Sequence, residues 1–219
     1  MTGREGQLGR TGSVPSPAGV IVVLRGRQTT HVLTVVEALA DCGLANFEVS
    51  LTTPGAMSLI AQLCSSEPHL AIGAGTVMNA DQAEEAIAQG ATYLLAPTLA
   101  PAMVHTALAS GVAAIPGAAT PTEVVSAWGS GASAVKVFPI EPLGGIRYVR
   151  ALRQPLPDIP LVPTGDIALD DVSEYLRYGS RAVGIGGTLL QDALQTGETF
   201  RLRDRATRLV EQVAVVEQA

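Results

Sequence analysis

The chain is nearly without lysine: of its fourteen basic side chains, only Lys136 is not an arginine. Aromatic residues are scarce too, at 4% of 219 residues, so the core has to be built from Val, Ile, Leu and Ala. Two cysteines, Cys42 and Cys64, are too few for a metal-ligand pattern or a dense disulfide framework. Both fall in apolar helical stretches and read as reduced, small core residues of a cytoplasmic protein. No apolar run reaches the ~20 residues needed to span a bilayer, so no membrane partner is expected. A net charge of −6 leaves no basic stripe for phosphate backbones and excludes a nucleic-acid surface. Arg201, Arg203, Arg205 and Arg208 look like a basic patch, but their mixture with Asp204 and Glu211 suits the solvated face of a terminal helix. His31, His69 and His105 fall on helices or connections as surface residues and make no ligand cluster, so no metal is expected. Residues 1–18 lack the apolar segment of a signal peptide. Rich in Gly, Ser, Pro and Arg, they read as a disordered tail before one domain, residues 19–219.

What remains is a chain in which 47% of residues are apolar, arranged as short apolar runs between longer amphipathic stretches. Eight strand candidates follow in order: residues 20–24, 47–51, 70–73, 92–96, 112–115, 135–138, 161–163 and 182–185. Between them, Val32, Val35, Val36 and Leu39 recur at helical spacing within 30–42. Asn79 or Asp81 can cap a helix that stops at Gly90. Thr120-Pro121-Thr122-Glu123 opens another, and Asp170-Asp171 opens a helix running to Tyr178. Strands alternating with helices, without hairpin signals, imply a parallel sheet. Eight such units in about 200 residues predict a single-domain α/β protein, a (β/α)8 TIM barrel, with an open doubly wound sheet as the alternative. In a barrel the functional face lies at the C-terminal ends of the strands.

Two residues break the apolar runs. Lys136 lies in Ala134-Val135-Lys136-Val137-Phe138-Pro139, where a buried, unpaired ammonium is costly and tends to shed its proton. A neutral amine in a dry pocket is a nucleophile that forms a Schiff base with a carbonyl substrate. Glu48 lies in Phe47-Glu48-Val49-Ser50-Leu51, where alternation sends Glu48 and Ser50 to one face and Val49 and Leu51 to the other. On an enclosed face Glu48 can pair with Lys136. A structural ion pair is one reading; the other is imine chemistry, with the lysine as amine and the carboxyl moving protons.

At these residues the chain resembles the 2-keto-3-deoxy-6-phosphogluconate (KDPG) and 2-keto-4-hydroxyglutarate (KHG) aldolases. The likeness is carried by Ile21-Val22-Val23-Leu24-Arg25, Phe47-Glu48-Val49-Ser50-Leu51-Thr52 and Ile72-Gly73-Ala74-Gly75-Thr76-Val77. It continues through Ala96-Pro97, Ile115-Pro116-Gly117, Val135-Lys136-Val137-Phe138-Pro139 and Val162-Pro163-Thr164-Gly165, in order over about residues 19–190. The resemblance implies a class I, metal-independent lyase of carbohydrate metabolism on a (β/α)8 barrel, usually a homotrimer, with no cofactor beyond a covalent imine on Lys136. It implies that a 2-keto acid is cleaved to pyruvate and an aldehyde. Lys136 would be the amine and Glu48 the general acid/base. Thr76 would bind the pyruvate carboxylate, Phe138 would keep the imine dry, and Arg25 would contact substrate through its fork of donors. Thr52 stands where some relatives carry arginine and can offer only a hydroxyl. Pro97, Pro116 and Gly117 would shape the pocket.

The phosphate end departs from the family. Relatives usually read Pro-Thr-Gly-Gly after the seventh strand, whereas this chain reads Pro163-Thr164-Gly165-Asp166. After the eighth strand a Gly-Ser pair is common, and here the stretch is Gly186-Gly187-Thr188, with Thr188 one position along from the usual serine. Glycine amides suit an anion, but a carboxylate at Asp166 repels one. At 4 Å two like charges repel by roughly 1–4 kcal/mol, and a dianion doubles this. The expectation is an aldolase with an unphosphorylated or otherwise atypical aldehyde part. Three alternatives stay open on the sequence. One is a non-aldolase phosphate barrel, thiamin-phosphate synthase-like or epimerase-like. Another is a nicotinamide-binding module at Gly184-Ile185-Gly186-Gly187 or Gly73-Ala74-Gly75, which lacks the full glycine spacing. The last is a catalytically idle relative.

Overall fold

The structure, a computed structural model, describes residues 14–217. Strands and helices alternate along the chain: β1 (Gly19–Leu24), α1 (Val32–Asp41), β2 (Asn46–Ser50), α2 (Ala56–Ser66), β3 (Ala71–Gly75), α3 (Ala80–Ala88), β4 (Tyr93–Leu95) and α4 (Pro101–Ala109). Then come β5 (Ala113–Ile115), β6 (Gly117–Ala118), α5 (Pro121–Gly129), β7 (Val135–Val137), α6 (Ile140–Leu143), α7 (Ile146–Arg153) and β8 (Leu161–Pro163). The chain closes with α8 (Val172–Arg177), β9 (Ala182–Ile185), α9 (Gly187–Leu190), α10 (Ala193–Thr196) and α11 (Phe200–Glu217).

All strand pairs are parallel. They form a curled six-stranded sheet in the order β5-β4-β3-β2-β1-β9 and a three-stranded sheet β6-β7-β8. The order follows the chain without the reversal that an open doubly wound sheet requires. The eight expected strand regions are all present, and the fifth, which ends at Ile115, is followed by a short strand that was not expected, β6. Pro116 separates β5 from β6 because it has no N–H to donate to the ladder. Bonds nevertheless cross between the two sheets. Ser133 N–H donates to the Ala114 carbonyl at 2.8 Å and Lys136 N–H to that of Pro116 at 2.9 Å. At the other side Arg181 N–H donates to the Leu161 carbonyl at 2.8 Å, and Thr164 bridges Gly184.

Strand alternation sorts the side chains into two layers. Val22, Leu24, Phe47, Val49, Val135 and Val137 turn outward into the main core beneath the helices. Each fully buried aliphatic or aromatic side chain there contributes about 1.5–3 kcal/mol. Ile21, Tyr93, Ile115, Ala134, Val162 and Ala182 turn inward and form a second apolar cluster. Inward residues nearer the strand C-termini therefore sit above an apolar floor, with no bulk water beneath them.

Helix starts follow the expected chemistry with small changes. Asn79 rather than Asp81 is the cap of α3, its Oδ1 accepting from Gln82 N–H at 2.9 Å. The helix expected from Asp170 opens with a 3-10 turn over Leu169–Asp171 before α8 begins. Thr120 and Glu123 form a reciprocal capping box on α5. The N–H donors of Ala119 and Thr120 hold the Glu123 carboxyl below its ordinary value of 4.5. A depressed carboxylate stabilises above its unfolded value, and that contribution is lost as pH falls through the folded one. Glu123→Ala should therefore lower the Tm at pH 7, and the gap to the parent protein should close as pH falls below about 4. Thermal scans across pH 3–7 check this.

Cys42 and Cys64 are free thiols at the edge of the core, half-buried rather than fully inside it. His69 and His105 are exposed, and His31 is half-exposed at the start of α1. Helix α11 turns Leu202, Ala206 and Leu209 inward, and its arginines pair outside, Arg203 with Asp41 and Arg208 with Asp204. Of the expected tail, residues 1–13 lie outside the described residues. Residues 14–18 have no regular secondary structure but are anchored: Arg181 donates to the Ser16 carbonyl at 2.8 Å and Asn46 to that of Ala18 at 2.9 Å. No helix among the described residues is long and apolar enough to cross a membrane.

Candidate active site

One cavity of about 330 Å³ opens at the C-terminal ends of the strands. Every residue singled out above as catalytic or substrate-binding lines it: Arg25 after β1, Glu48 on β2, Thr52 beyond it, Thr76 after β3, Pro97 after β4, and Lys136 and Phe138 at β7. Thr164, Gly165 and Asp166 follow β8, and Gly186 and Gly187 follow β9. Pro116 is not among the lining residues. Gly117 lies behind Pro97, where a Cβ would overlap the Pro97 backbone.

The floor of the cavity holds the one lysine. Val135 and Val137 face the helices, so Lys136 between them faces inward, with only 5% of its surface exposed. Glu48 reaches the same point from β2 by the same alternation and is 1% exposed. Lys136 Nζ stands 3.5 Å from Glu48 Oε1, an ion pair longer than an ordinary hydrogen bond. The nitrogen also lies 5.6 Å from the centroid of the Phe138 ring, within cation–π range. Glu48 fits because Gly75, two residues beyond its register partner Gly73 on β3, has no side chain: a Cβ there would overlap the carboxyl. Glu48 Oε2 is buried with no hydrogen-bond partner among the described atoms.

Above this pair runs a chain of hydroxyls. Ser50 Oγ lies 2.9 Å from Thr52 Oγ1 and 3.0 Å from Thr76 Oγ1. Thr76 adopts φ 61°, a left-handed conformation that a β-branched residue rarely takes and that costs about 1–3 kcal/mol. The Ser50 contact and the bond from Val77 N–H to the Leu95 carbonyl, 3.0 Å, hold it there. Strain of this kind concentrates at ligand sites, and it aims the Thr76 hydroxyl into the cavity.

The outer end is built by the loops after β8 and β9. Gly165 and Asp166 both have positive φ, 117° and 56°. Asp166 is exposed and, like Arg25, forms no ion pair with any described residue. Among the described residues the cavity thus carries two cations, Arg25 and Lys136, and two carboxylates, Glu48 and Asp166. Among the described residues no group of three His, Cys, Asp or Glu side chains is placed to hold a metal ion.

Sequence reasoning left Val23, Ser50, Pro139 and Gly184 out of the lining set and placed Thr188 only as one position along from the usual serine. Three of these were within reach of the two-residue period: Val23 precedes Arg25, Ser50 follows Glu48, and Gly184 precedes Gly186 on the inward face.

A closed-off floor carrying an amine and a carboxylate under parallel strand ends is a site of the α/β enzyme class. The sequence profile of the KDPG and KHG aldolases matches residues 13–203. A 2-dehydro-3-deoxy-phosphogluconate aldolase of Pseudoalteromonas atlantica is 32% identical over 196 residues, 89% of this chain and 91% of the relative. The solved structure of native KDPGal superposes with a TM-score of 0.83 at 26% identity, covering 94% of this chain and all of that one. KDPG aldolase from Legionella pneumophila, solved with pyruvate captured as a covalent carbinolamine, gives a TM-score of 0.81 at 28% identity, covering 88% and 94%. The chain belongs to the KDPG and KHG aldolase family and is a lyase. Membership sets aside the non-aldolase phosphate barrels and the nicotinamide-binding module.

Proposed function

We propose that this chain is a class I aldolase in which Lys136 forms the imine and Glu48 moves the protons. The observation that carries the reading is the buried Lys136–Glu48 pair at the floor of an open cavity, 3.5 Å apart. In this reading the two sheets are arcs of one (β/α)8 barrel, joined by the bonds at Pro116 and Thr164.

The steps follow from that placement. Lys136 Nζ gives its proton to Glu48 and attacks C2 of the 2-keto acid. The carbinolamine hydroxyl takes a proton back from Glu48 and leaves as water, giving a protonated imine. Glu48 then removes the proton of the C4 hydroxyl. The electrons of the C3–C4 bond flow into the imine, and the aldehyde departs. Protonation of the enamine at C3 and attack by water release pyruvate and the amine. General acid–base catalysis of this type is worth about 10²–10⁴-fold. Thr76, with Ser50 and Thr52 behind it, donates to the substrate carboxylate, and Arg25 adds the positive charge. Phe138 and Pro97 hold the imine in an apolar wall, and Thr164, Gly165, Gly186 and Gly187 shape the passage for the aldehyde part.

The aldehyde part is an uncharged, hydroxylated tail. Lys136 and Glu48 are committed to the chemistry, so among the described residues that line the cavity Arg25 is the one free cation for two anions if the substrate is phosphorylated. Asp166 repels a phosphate dianion by roughly 2–8 kcal/mol at 4 Å and accepts from hydroxyls instead. Retro-aldol kinetics should therefore favour unphosphorylated over phosphorylated 2-keto-3-deoxy acids. Asp166→Gly costs no backbone strain, since φ 56° suits glycine. The variant should raise kcat/KM for the phosphorylated substrate by 10-fold or more (about 1.4 kcal/mol). A parent enzyme that strongly prefers the phosphorylated acid would end this part of the reading. The assembly is a cytoplasmic homotrimer on the strength of the family resemblance, and sedimentation equilibrium tests the subunit number.

A further inference from the structure

The steps above use one oxygen of Glu48. Its other oxygen, Oε2, is buried and unpartnered, and so is the hydroxyl of Tyr93, a side chain only 1% exposed. A buried polar atom without a partner costs about 1–3 kcal/mol, and folded proteins rarely keep two so close together without a reason. These two are neighbours by register. Glu48 pairs with Gly73, and Gly73 pairs with Tyr93, so the three stand abreast on adjacent strands and face inward.

Glycines on β3 bring the two tips toward each other. The Tyr93 ring occupies the space that a side chain at residue 73 would fill, because a Cβ at Gly73 would overlap it. The Glu48 carboxyl occupies the corresponding space above Gly75. Both groups therefore lean over the same strand, at positions two residues apart. Neither tip bonds the other directly. One water with two bonds of about 2.8 Å each closes a gap of up to about 5.6 Å between two such tips.

We infer that Tyr93 is a positioning residue for Glu48: its hydroxyl and Glu48 Oε2 share a buried water, which fixes the carboxyl so that Oε1 faces the amine of Lys136. This rests on the acid–base role given to Glu48 above. The charged and titratable groups around that carboxyl are Lys136 from β7, Tyr93 from β4, and Arg25 and Asp166 at the cavity mouth. Burial, with the Glu48 charge beside it, holds the phenol well above its ordinary value, so Tyr93 remains a donor at working pH. Space-filling alone would be served equally well by phenylalanine, which carries no hydroxyl to strand in the interior.

Tyr93→Phe is therefore the test. The variant should lose about 10- to 100-fold in kcat, the worth of one hydrogen bond to a charged group, while KM for the 2-keto acid stays put. The acidic limb of its kcat profile should move to higher pH, because the ionised carboxylate has lost a donor. A high-resolution crystal structure should show a solvent peak within bonding distance of both oxygens in the parent protein. An unchanged kcat and pH profile with a raised Tm would overturn the assignment, as would a dry gap or a direct bond between the two side chains. Borohydride trapping of pyruvate, run on both proteins, separates the two levels of the account. If the parent protein gives no adduct, the aldolase mechanism falls and the Tyr93 assignment falls with it. If both proteins trap pyruvate and their profiles coincide, the Tyr93 assignment alone is refuted.

Discussion

Lys136→Met is expected to abolish cleavage of 2-keto-3-deoxy acids, with a loss of about 10⁴-fold or more in kcat. The size follows from the role. A thioether cannot add to a carbonyl, and without an imine no electron sink exists for the C3–C4 bond. Stability complicates the reading, because removing one member of a buried pair leaves the other stranded, at about 3–5 kcal/mol when it stays charged. Glu48 can relieve part of this by taking up a proton in the variant. Lys136→Arg serves as the companion, since it keeps a cation beside Glu48 but offers no amine to form an imine. Both variants should be inactive, and the arginine form should keep more of the parent Tm. Pyruvate release in a coupled assay and a thermal scan supply the two readings. Activity within 100-fold of the parent in either folded variant would be incompatible with covalent catalysis through this residue.

Glu48→Gln is the second large effect. The amide keeps the shape of the carboxyl and fills the notch over Gly75, but it cannot carry protons between the amine, the carbinolamine oxygen and the C4 hydroxyl. A loss of about 10²–10⁴ in kcat is expected. Unlike the Lys136 variants, this one should still form a covalent adduct with pyruvate, slowly, since the nucleophile remains. That split between adduct formation and turnover distinguishes an acid–base role from a purely structural ion pair. In the structural case Glu48→Gln would lower the Tm and leave the kcat of the surviving folded protein nearly intact.

Lys136 and Glu48 were legible because charged side chains inside short apolar runs conflict with burial, and the conflict has few resolutions. The strand period then placed both on one face. Positions 164–166 and 186–187 were legible only through the family pattern, since glycine and threonine after a strand fit any turn. The strand period put Ser50 on the face of Glu48, but its part in the site was not legible: its place between Thr52 and Thr76 depends on Thr76 sitting at a strained φ that no spacing rule anticipates. Tyr93 was invisible for another reason. An aromatic in an apolar run reads as core, and its stranded hydroxyl emerges only from the seat that Gly73 gives the ring. The break at Pro116 was legible in principle, because proline cannot donate to a ladder. The apolar run ending at Ile115 gave no hint that pairing resumes at Gly117. The helix after β8 opens with a 3-10 turn that contains Asp170 and Asp171, and Asp171 makes no side-chain cap bond to it.

Incubation with pyruvate and borohydride, followed by intact mass and peptide mapping, decides whether Lys136 carries the imine. One reduced pyruvyl group per chain is expected, on the peptide that contains Lys136, and none in Lys136→Met. Retro-aldol turnover with no adduct, or an adduct that survives removal of Lys136, would contradict that role.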